Sequence, residues 1–544
     1  MNDQSQATPK SAFRIPPSEI AAAIICLLYL GFLVYFSRQH PFGTYATETD
    51  FYHLYAPDAA RIAAGQFPLN DFQGPGYPVL LSLITKYTGD VFIAGKWISI
   101  ISAVLCVWMM FVLFKQLFGN WVGVGAAILS TVMIEFPEFS LQATTDVFFL
   151  LICLVALVIF TGSFFSLRMR LIYAAFITSI AYLTRYNGLF LLGCFLFALL
   201  IMNYFEQSWR ERWLWSAIFV AVFFLTALPW FIANYRHNGS PFYNANYLNM
   251  ATMLYPELVG GDVVQDGTRK MREQFHSFGD VLGYNPKQAV SRYFSNLSEV
   301  FLNSLRPTLV TRLIGWLGLI GLFVALLEIR LRGFLGNGKL STQSKGRLLL
   351  FVSMAVYLLL MGLNHWEPRY FFFIGLCYSG LASYLAYTPI KWLNEVSPLA
   401  INRTLVQVVI PTIFILGIAA PAFTSTRESF QTFMQNHPYE IPAAAKFLQS
   451  QNAAPYSLKI VARKPHLPFM AKQEWVFFPQ VKSLDELKAW LEKNPVDYIA
   501  VGKRELKTRK ELTPLGDPKT APDWLKAAWV NNDPKFILYK PNLK

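Results

Sequence analysis

Four short segments set ionisable side chains beside long apolar runs, and their residue types suit proton transfer and phosphate binding. In TETDFYHLYAPDAARIAAGQFP, Asp50 stands with Tyr52, His53 and Tyr55 close by, and Asp58 and Arg61 lie further along. A carboxylate there can act as a general base, or it can join Thr47 in a capping-type box that stabilises a first helical turn. Asp146 opens the apolar run DVFFLLICL, either as a second site acid or as a plain helix-start acid. Glu135 and Glu138 precede it and would extend an acidic patch. In YLTRYNGLF, Arg185 interrupts an apolar stretch, where a guanidinium must meet an anion, carbonyls or water. It either snorkels to an interface or clamps a phosphate with its planar fork. NHWEPRYFFF carries His365, Glu367 and Arg369. There Glu367 and Arg369 can pair with each other, or Arg369 can be a second phosphate ligand beside Arg185.

The elements that hold these residues are set by the solvent. Of 544 residues, 54% are hydrophobic and 15% charged, against about 25% charged in a typical soluble domain. Much of the chain must face lipid, and the 16% aromatic content fits membrane interfaces. The net charge of +14 is no nucleic-acid signal, because the Lys and Arg gather in short loops between apolar runs and in the C-terminal tail. The five cysteines all lie inside apolar runs without metal or disulfide spacing. The run Ile20 to Phe36 follows a polar tail with Lys10 and Arg14, has no small-residue cleavage site after it, and reads as a retained first span.

A crossing helix needs about 20 apolar residues. Spans are expected near 19–37, 92–115, 120–136, 143–161, 171–184, 187–204, 213–232, 309–329, 348–363, 370–388 and 405–422, about eleven in all. Basic residues then orient the chain. Four loops fall on the cytoplasmic side together with the N-terminus: Arg168/Arg170, Arg210/Arg212, the group Arg330, Arg332, Lys339, Lys345 and Arg347, and Lys391 with Arg403.

Three larger pieces are then outside. In the first, residues 38–91, Asp50 to Ala64 and Tyr77 to Tyr87 predict two interfacial helices around the turn-rich DFQGPGYP. The second covers about 234–307 and is long enough to fold over a site. The third, 425–544, reads as a small periplasmic α/β domain after a transmembrane domain of residues 1–424. Its strands are SLKIVAR, EWVFF, DYIAVG and KFILYK, and its helix SLDELKAWLEKN is capped by Ser483 with Glu486.

Outward acids and outward arginines close to lipid are what transfer from a lipid phosphate requires. A carboxylate takes the proton of an attacking hydroxyl, and cations stabilise the departing phosphate. No nucleotide is available outside the membrane, so an activated sugar must arrive on a lipid.

At these same residues the sequence resembles the glycosyltransferase-C superfamily. It looks most like the bacterial branch of protein O-mannosyltransferases, lipid A aminoarabinose transferases and RgtA/B/C/D-like proteins. The pieces come in family order over about 420 residues, the span-based extent of the membrane part. They are ETDFYHLYAPDAARIAAG, GPGYPVLLSLITKYTG, TTDVFF, YLTRYNG, ALPWFIANYRHNGSPF and EPRYFFF.

The resemblance implies a polytopic α-helical membrane enzyme of the bacterial inner membrane, acting in cell-envelope lipopolysaccharide or polysaccharide biosynthesis. It would move a hexose or pentose from a polyprenyl-phosphate donor to a lipid, glycan or protein acceptor, with inversion. Asp50 is then the expected base, Asp146 a second catalytic acid, and Arg185 and Arg369 the donor-phosphate ligands. Glu48, Tyr52, His53, Tyr55, His365 and Glu367 are candidates to line the site. Many relatives carry Asp-Glu at the first acid, whereas Phe51 follows Asp50 here and Glu48 precedes it. Pro75-Gly76 replaces a common Pro-Pro. Whether Glu48 binds a metal or faces water stays open, so a divalent metal is a candidate cofactor without a trusted ligand spacing. Two other functions compete. A transporter or flippase of lipid-linked sugars would also need the arginines, while a non-catalytic scaffold would leave Asp50 and Arg185 unexplained.

Overall fold

The computed structural model describes residues 15–543, except 46, 69, 260–262, 307–308, 336–338 and 397–407. Lys10, Arg14 and Arg403 of the topology argument therefore lie outside the described residues.

Apolar runs become helices at the predicted places. α1 (Pro17–Ser37) leads into the first loop, where α2 (Ala56–Ala63) and α3 (Gly76–Thr88) form the two expected short helices. The bundle continues with α4 (Val91–Phe118), α5 (Asn120–Thr131), α6 (Phe136–Leu141), α7 (Asp146–Thr161), α8 (Leu167–Thr184), α9 (Leu189–Leu200) and α10 (Trp209–Asn238). The second loop holds α11 (Asn246–Leu254), α12 (Val263–Gln274), α13 (Phe278–Tyr284) and α14 (Pro286–Ser304). The bundle closes with α15 (Arg312–Leu335), α16 (Thr342–Met361), α17 (Phe372–Val396) and α18 (Ile410–Gln435).

Length and composition mark seven helices among the described residues as able to cross a membrane: α1, α4, α10, α15, α16, the segment containing α17, and the one beginning with α18. Two shorter apolar helices match α7 and α9. The reading of about eleven spans counted α5, α7, α8 and α9 as well; these have only 12, 16, 18 and 12 residues. The expected span 120–136 stops at Thr131, and a separate short helix, α6, follows with Pro137 in its first turn. α8 and α16 are longer than expected because their charged ends stay helical. In α16, Lys345 reaches Glu206 at 3.1 Å and Arg347 reaches the buried Glu328 at 2.7 Å.

α4 is the central post, packing against α1, α5 and α7, while α7 packs on α8 and α8 on α10. α17 lies between α5 and α15. Capping chemistry fixes the entries. Asp90 accepts the Ile93 N–H at the start of α4, and Ser208 with Glu211 makes a full capping box on α10. Lys96 places its ammonium on the carbonyls of Ser37 and His40 at the end of α1, where the helix dipole favours a cation.

The tail forms α19 (Glu440–Ser450), β1 (Lys459–Ala462), α20 (His466–Ala471), β2 (Glu474–Phe477), α21 (Leu484–Lys493), β3 (Tyr498–Gly502), α22 (Lys503–Thr508), β4 (Leu525–Asn532) and β5 (Lys535–Pro541). The sheet order is β2-β1-β3-β5-β4, parallel from β2 to β3 and antiparallel beyond. All four expected strands are present, and β4 joins them. Ser483 caps α21 by accepting the Glu486 N–H, but Glu486 returns to the Lys482 N–H, one residue before the expected partner.

Candidate active site

Three separate elements bring their ends to one place. Asp146 is the first residue of α7, Arg185 follows the last turn of α8, and Arg369 sits in the short turn before α17. Arg185 donates to Asp146 and, at 3.3 Å, to the Thr145 hydroxyl. Arg369 stands 3.8 Å from the other oxygen of Asp146 and donates to Glu367 at 2.5 Å. The Arg185 guanidinium lies 5.0 Å from the ring centre of Tyr370, a cation–π contact that spreads its charge over an aromatic face. Around these groups is an apolar pocket with Phe149, Leu150, Cys153, Tyr357, Phe372 and Phe373 in its wall.

Side-chain exposures of 14% for Arg185, 12% for Arg369 and 2% for Asp146 exclude simple snorkelling to an interface. Asp146 and Glu367 balance the two cations, and the planar guanidinium forks keep further N–H donors in a low-dielectric wall that an anion can use. The backbone supports this placement tightly. A Cβ at Gly74 would meet the Leu183 carbonyl oxygen at 2.2 Å, so the first loop touches the chain just before Arg185 with no room for a side chain.

Asp50 stands at the start of a π-helical turn, Phe51–Tyr55, that runs into α2. Such turns are rare and recur at functional sites. Its carboxylate makes no cap hydrogen bond, so the capping reading with Thr47 is excluded; the Thr47 hydroxyl donates to Gln142 instead. Among the described residues Asp50 has no hydrogen bond or ion pair, and it is only partly buried. Its charge reaches both Tyr55 and Arg369. Burial, followed by the negative charge of Asp50, pushes the Tyr55 hydroxyl above its ordinary range, and Tyr55 also meets Thr145, the partner of Arg185. A chain of contacts thus runs from the loop carrying Asp50 to the arginine pair.

Residues 73–230 match the family model described as dolichyl-phosphate-mannose-protein mannosyltransferase. No curated protein sequence matches the chain. Among solved structures, the apo oligosaccharyltransferase of Archaeoglobus fulgidus is similar at a TM-score of 0.61 and 12% identity, covering 91% of this chain and 71% of that one. The archaeal oligosaccharyltransferase AglB of the same organism, in complex with an inhibitory peptide and a dolichol-phosphate, aligns at 0.56 and 12%, covering 92% and 74%. ArnT from Cupriavidus metallidurans, bound to undecaprenyl phosphate, aligns at 0.56 and 12% over 96% of this chain and 98% of that one.

The chain shares its fold with these structures.

Within this fold the expected site residues divide into groups. Asp146, Arg185 and Arg369 meet directly, and Glu367 joins through Arg369. His365 contacts Glu367 at 3.1 Å. Burial opposes ionisation of Glu367, yet His365 and Arg369 outweigh it and hold its carboxyl at about 2. Glu135 lies within electrostatic reach of Glu138, Glu367 and Arg369, so the acidic patch adjoins the pair. Asp146 is not a lone acid available for proton transfer, because both arginines occupy it; it holds them.

The remaining candidates turn away from the arginines. Glu48 neither faces water nor lies open to a metal: it is fully buried, 3.3 Å from His40, and accepts the N–H groups of Thr44 and Ala143 at 2.9 and 2.8 Å. Burial pushes its carboxyl up, but His40 and those two N–H groups hold it below the ordinary range. Tyr52 is buried and accepts the Gly43 N–H at 2.7 Å. His53 donates to the Thr49 carbonyl at 2.8 Å and packs against Trp475. Among the described residues no group of three or more His, Cys, Asp or Glu stands together as a metal site. The His40–Glu48 hub escaped the sequence reading because HPFGTYATE carries no motif; a buried acid anchoring a loop shows only in three dimensions.

Proposed function

We propose that this chain is an inverting glycosyltransferase moving a monosaccharide from a polyprenyl-phosphate donor to a lipid, glycan or protein acceptor. The observation that carries the reading is the convergence of Arg185 and Arg369 on Asp146, within electrostatic reach of Asp50, whose carboxylate has no partner among the described residues. The donor is a phosphodiester with one negative charge, and cleavage of its sugar–phosphate bond leaves a second charge on the phosphate. Two buried guanidiniums favour that developing charge more than the ground state, which is the requirement for catalysis. Asp50 takes the proton as the acceptor hydroxyl oxygen bonds to the anomeric carbon. The bond from that carbon to the phosphate oxygen breaks on the opposite face, and polyprenyl phosphate leaves. Asp146 keeps the two forks aligned.

The setting follows from charge and composition. Basic loops at the other end of the bundle support a site on the periplasmic side of a bacterial inner membrane. In this reading the membrane domain gives way to the periplasmic one near residue 424, within α18. The dolichyl-phosphate-mannose of the matching family and the undecaprenyl phosphate bound to ArnT support a lipid phosphate as donor. The test offers the chain in nanodiscs a panel of labelled polyprenyl-phosphate monosaccharides with envelope extract as acceptor. Turnover of one donor to free polyprenyl phosphate supports the reading and names the sugar. Movement of labelled donor across vesicles without turnover of any would replace it with a flippase.

A further inference from the structure

The parallel half of the tail sheet has the order β2-β1-β3, so its strand order reverses between β1 and β3. Open α/β sheets bind ligands in the crevice outside the carboxyl ends of strands at such a reversal. Here that crevice faces the first loop. Arg463, just after β1, pairs with Glu505 of α22, beyond β3, at 2.9 Å. Tyr45 packs against the core on this side of the sheet, meets Glu440 of α19, and feels the charges of Glu505 and Arg463. His466, at the start of α20, donates from Nε2 to the Thr44 carbonyl at 2.6 Å. Its ring lies 4.6 Å from that of Tyr52 and 5.1 Å from that of Tyr45. Phe469 packs on Tyr52 at 4.9 Å, and Trp475 of β2 on His53 at 5.7 Å.

We propose that the tail domain is a working part of the active site, gripping residues 44–53 through His466 and its sheet crevice and so fixing where Asp50 stands relative to Arg185 and Arg369. The inference rests on the reading of Asp50 as the base. Residues on both sides of Asp50 are held from two directions: Glu48 by His40 and the Ala143 N–H below, Tyr52 and Thr44 by His466 above. Only Asp50 itself is left without a partner among the described residues. The geometry separates holding from chemistry. His466 is a positioning residue: it is 1% exposed, touches no reacting group, and burial holds its imidazole down at about 4, the neutral form with Nε2–H as donor. A base must be held to within a fraction of an ångström, and a misplacement of about 1 Å costs about a hundredfold in rate.

The test compares the full chain with His466→Leu, which keeps bulk but lacks the donor, and His466→Gln, which keeps a donor. Hydrogen exchange over residues 44–55 reads the grip without any need for activity. Protection is expected in the normal chain and His466→Gln and lost in His466→Leu, with unchanged exchange in the strands of the tail showing that it still folds. Turnover is read beside it: kcat is expected to fall about tenfold or more in His466→Leu, with donor KM within about twofold, because the arginine pair is untouched. Equal protection of 44–55 in all three chains overturns the grip. A normal kcat in His466→Leu despite lost protection overturns the positioning role. If the normal chain is protected but turns over no donor, the proposed function has failed, and this inference fails with it.

Discussion

Arg185 and Arg369 share Asp146: the first donates to one carboxylate oxygen and the second stands 3.8 Å from the other. The acid sits in the apolar wall between α7, α8 and α17, so neither cation is free to move independently. Removing it leaves Arg185 without its acid in a low-dielectric pocket while Arg369 keeps Glu367, and loss of one partner of a buried pair costs about 3–5 kcal/mol. Asp146→Asn is therefore expected to melt well below the normal chain. Added polyprenyl phosphate should restore more of that loss than it adds to the normal chain, because the lipid anion takes the missing acid's place. Thermal melting with and without the lipid checks this; an unchanged melting point would show that Asp146 is not what holds the pair.

Fork geometry should matter beyond charge. Arg185→Lys and Arg369→Lys each keep one positive charge but lose the planar two-donor face. Loss of a charge-assisted hydrogen bond of about 1.5–3 kcal/mol corresponds to a roughly ten- to hundredfold weakening of polyprenyl-phosphate binding. Titration of the lipid into the variants measures it, and binding within twofold of normal would remove the phosphate role.

Glu48 gives the first loop a pH dependence of known sign. Its carboxyl titrates below the ordinary value of 4.5 because His40 and two backbone N–H groups outweigh burial. A group lowered on folding contributes stability that is complete above its unfolded value and lost as pH falls through the folded one. Hydrogen exchange or proteolysis of residues 40–55 should therefore accelerate as pH is taken from about 4.5 downward. Glu48→Gln should exchange faster at pH 7 and lose that acid step. An identical acid response in both chains would show that the hub does not depend on the carboxylate.

Much of this architecture was legible because apolar runs near 20 residues and strand alternation are local signals. The strands SLKIVAR, EWVFF, DYIAVG and KFILYK and both helices of the first loop are where their residues put them. LKAAWVNN was missed as β4 because Leu, Lys and Ala favour helix, and pairing with β5 overrides that preference. The candidate arginines stood out because charge inside an apolar run needs a reason. Asp146 stood out as a site acid but not as their shared partner, since Asp146 and Arg185 are 39 residues apart and only tertiary packing joins them. Nor could sequence decide between Asp50 as cap and Asp50 as free carboxylate, because both need an acid at the same helix start.

The first loop should also be sensitive where it touches α8. A methyl group at Gly74 would lie 2.2 Å from the Leu183 carbonyl oxygen, so the backbone must shift beside Arg185. Gly74→Ala is expected to destabilise by about 1–3 kcal/mol, as overpacking does, and to lower turnover more than its melting point suggests. Parallel melting and donor-turnover assays check this. Full turnover in a folded Gly74→Ala chain would mean that the contact does not position Arg185.

The most direct test of the account is donor turnover by Asp50→Asn beside the normal chain, at equal abundance and with equal binding of polyprenyl phosphate. Loss of a general base is expected to slow transfer by about a hundred- to ten-thousandfold, with the phosphate site intact. Turnover unchanged from the normal chain would contradict the assignment of Asp50 as the base, and with it the mechanism.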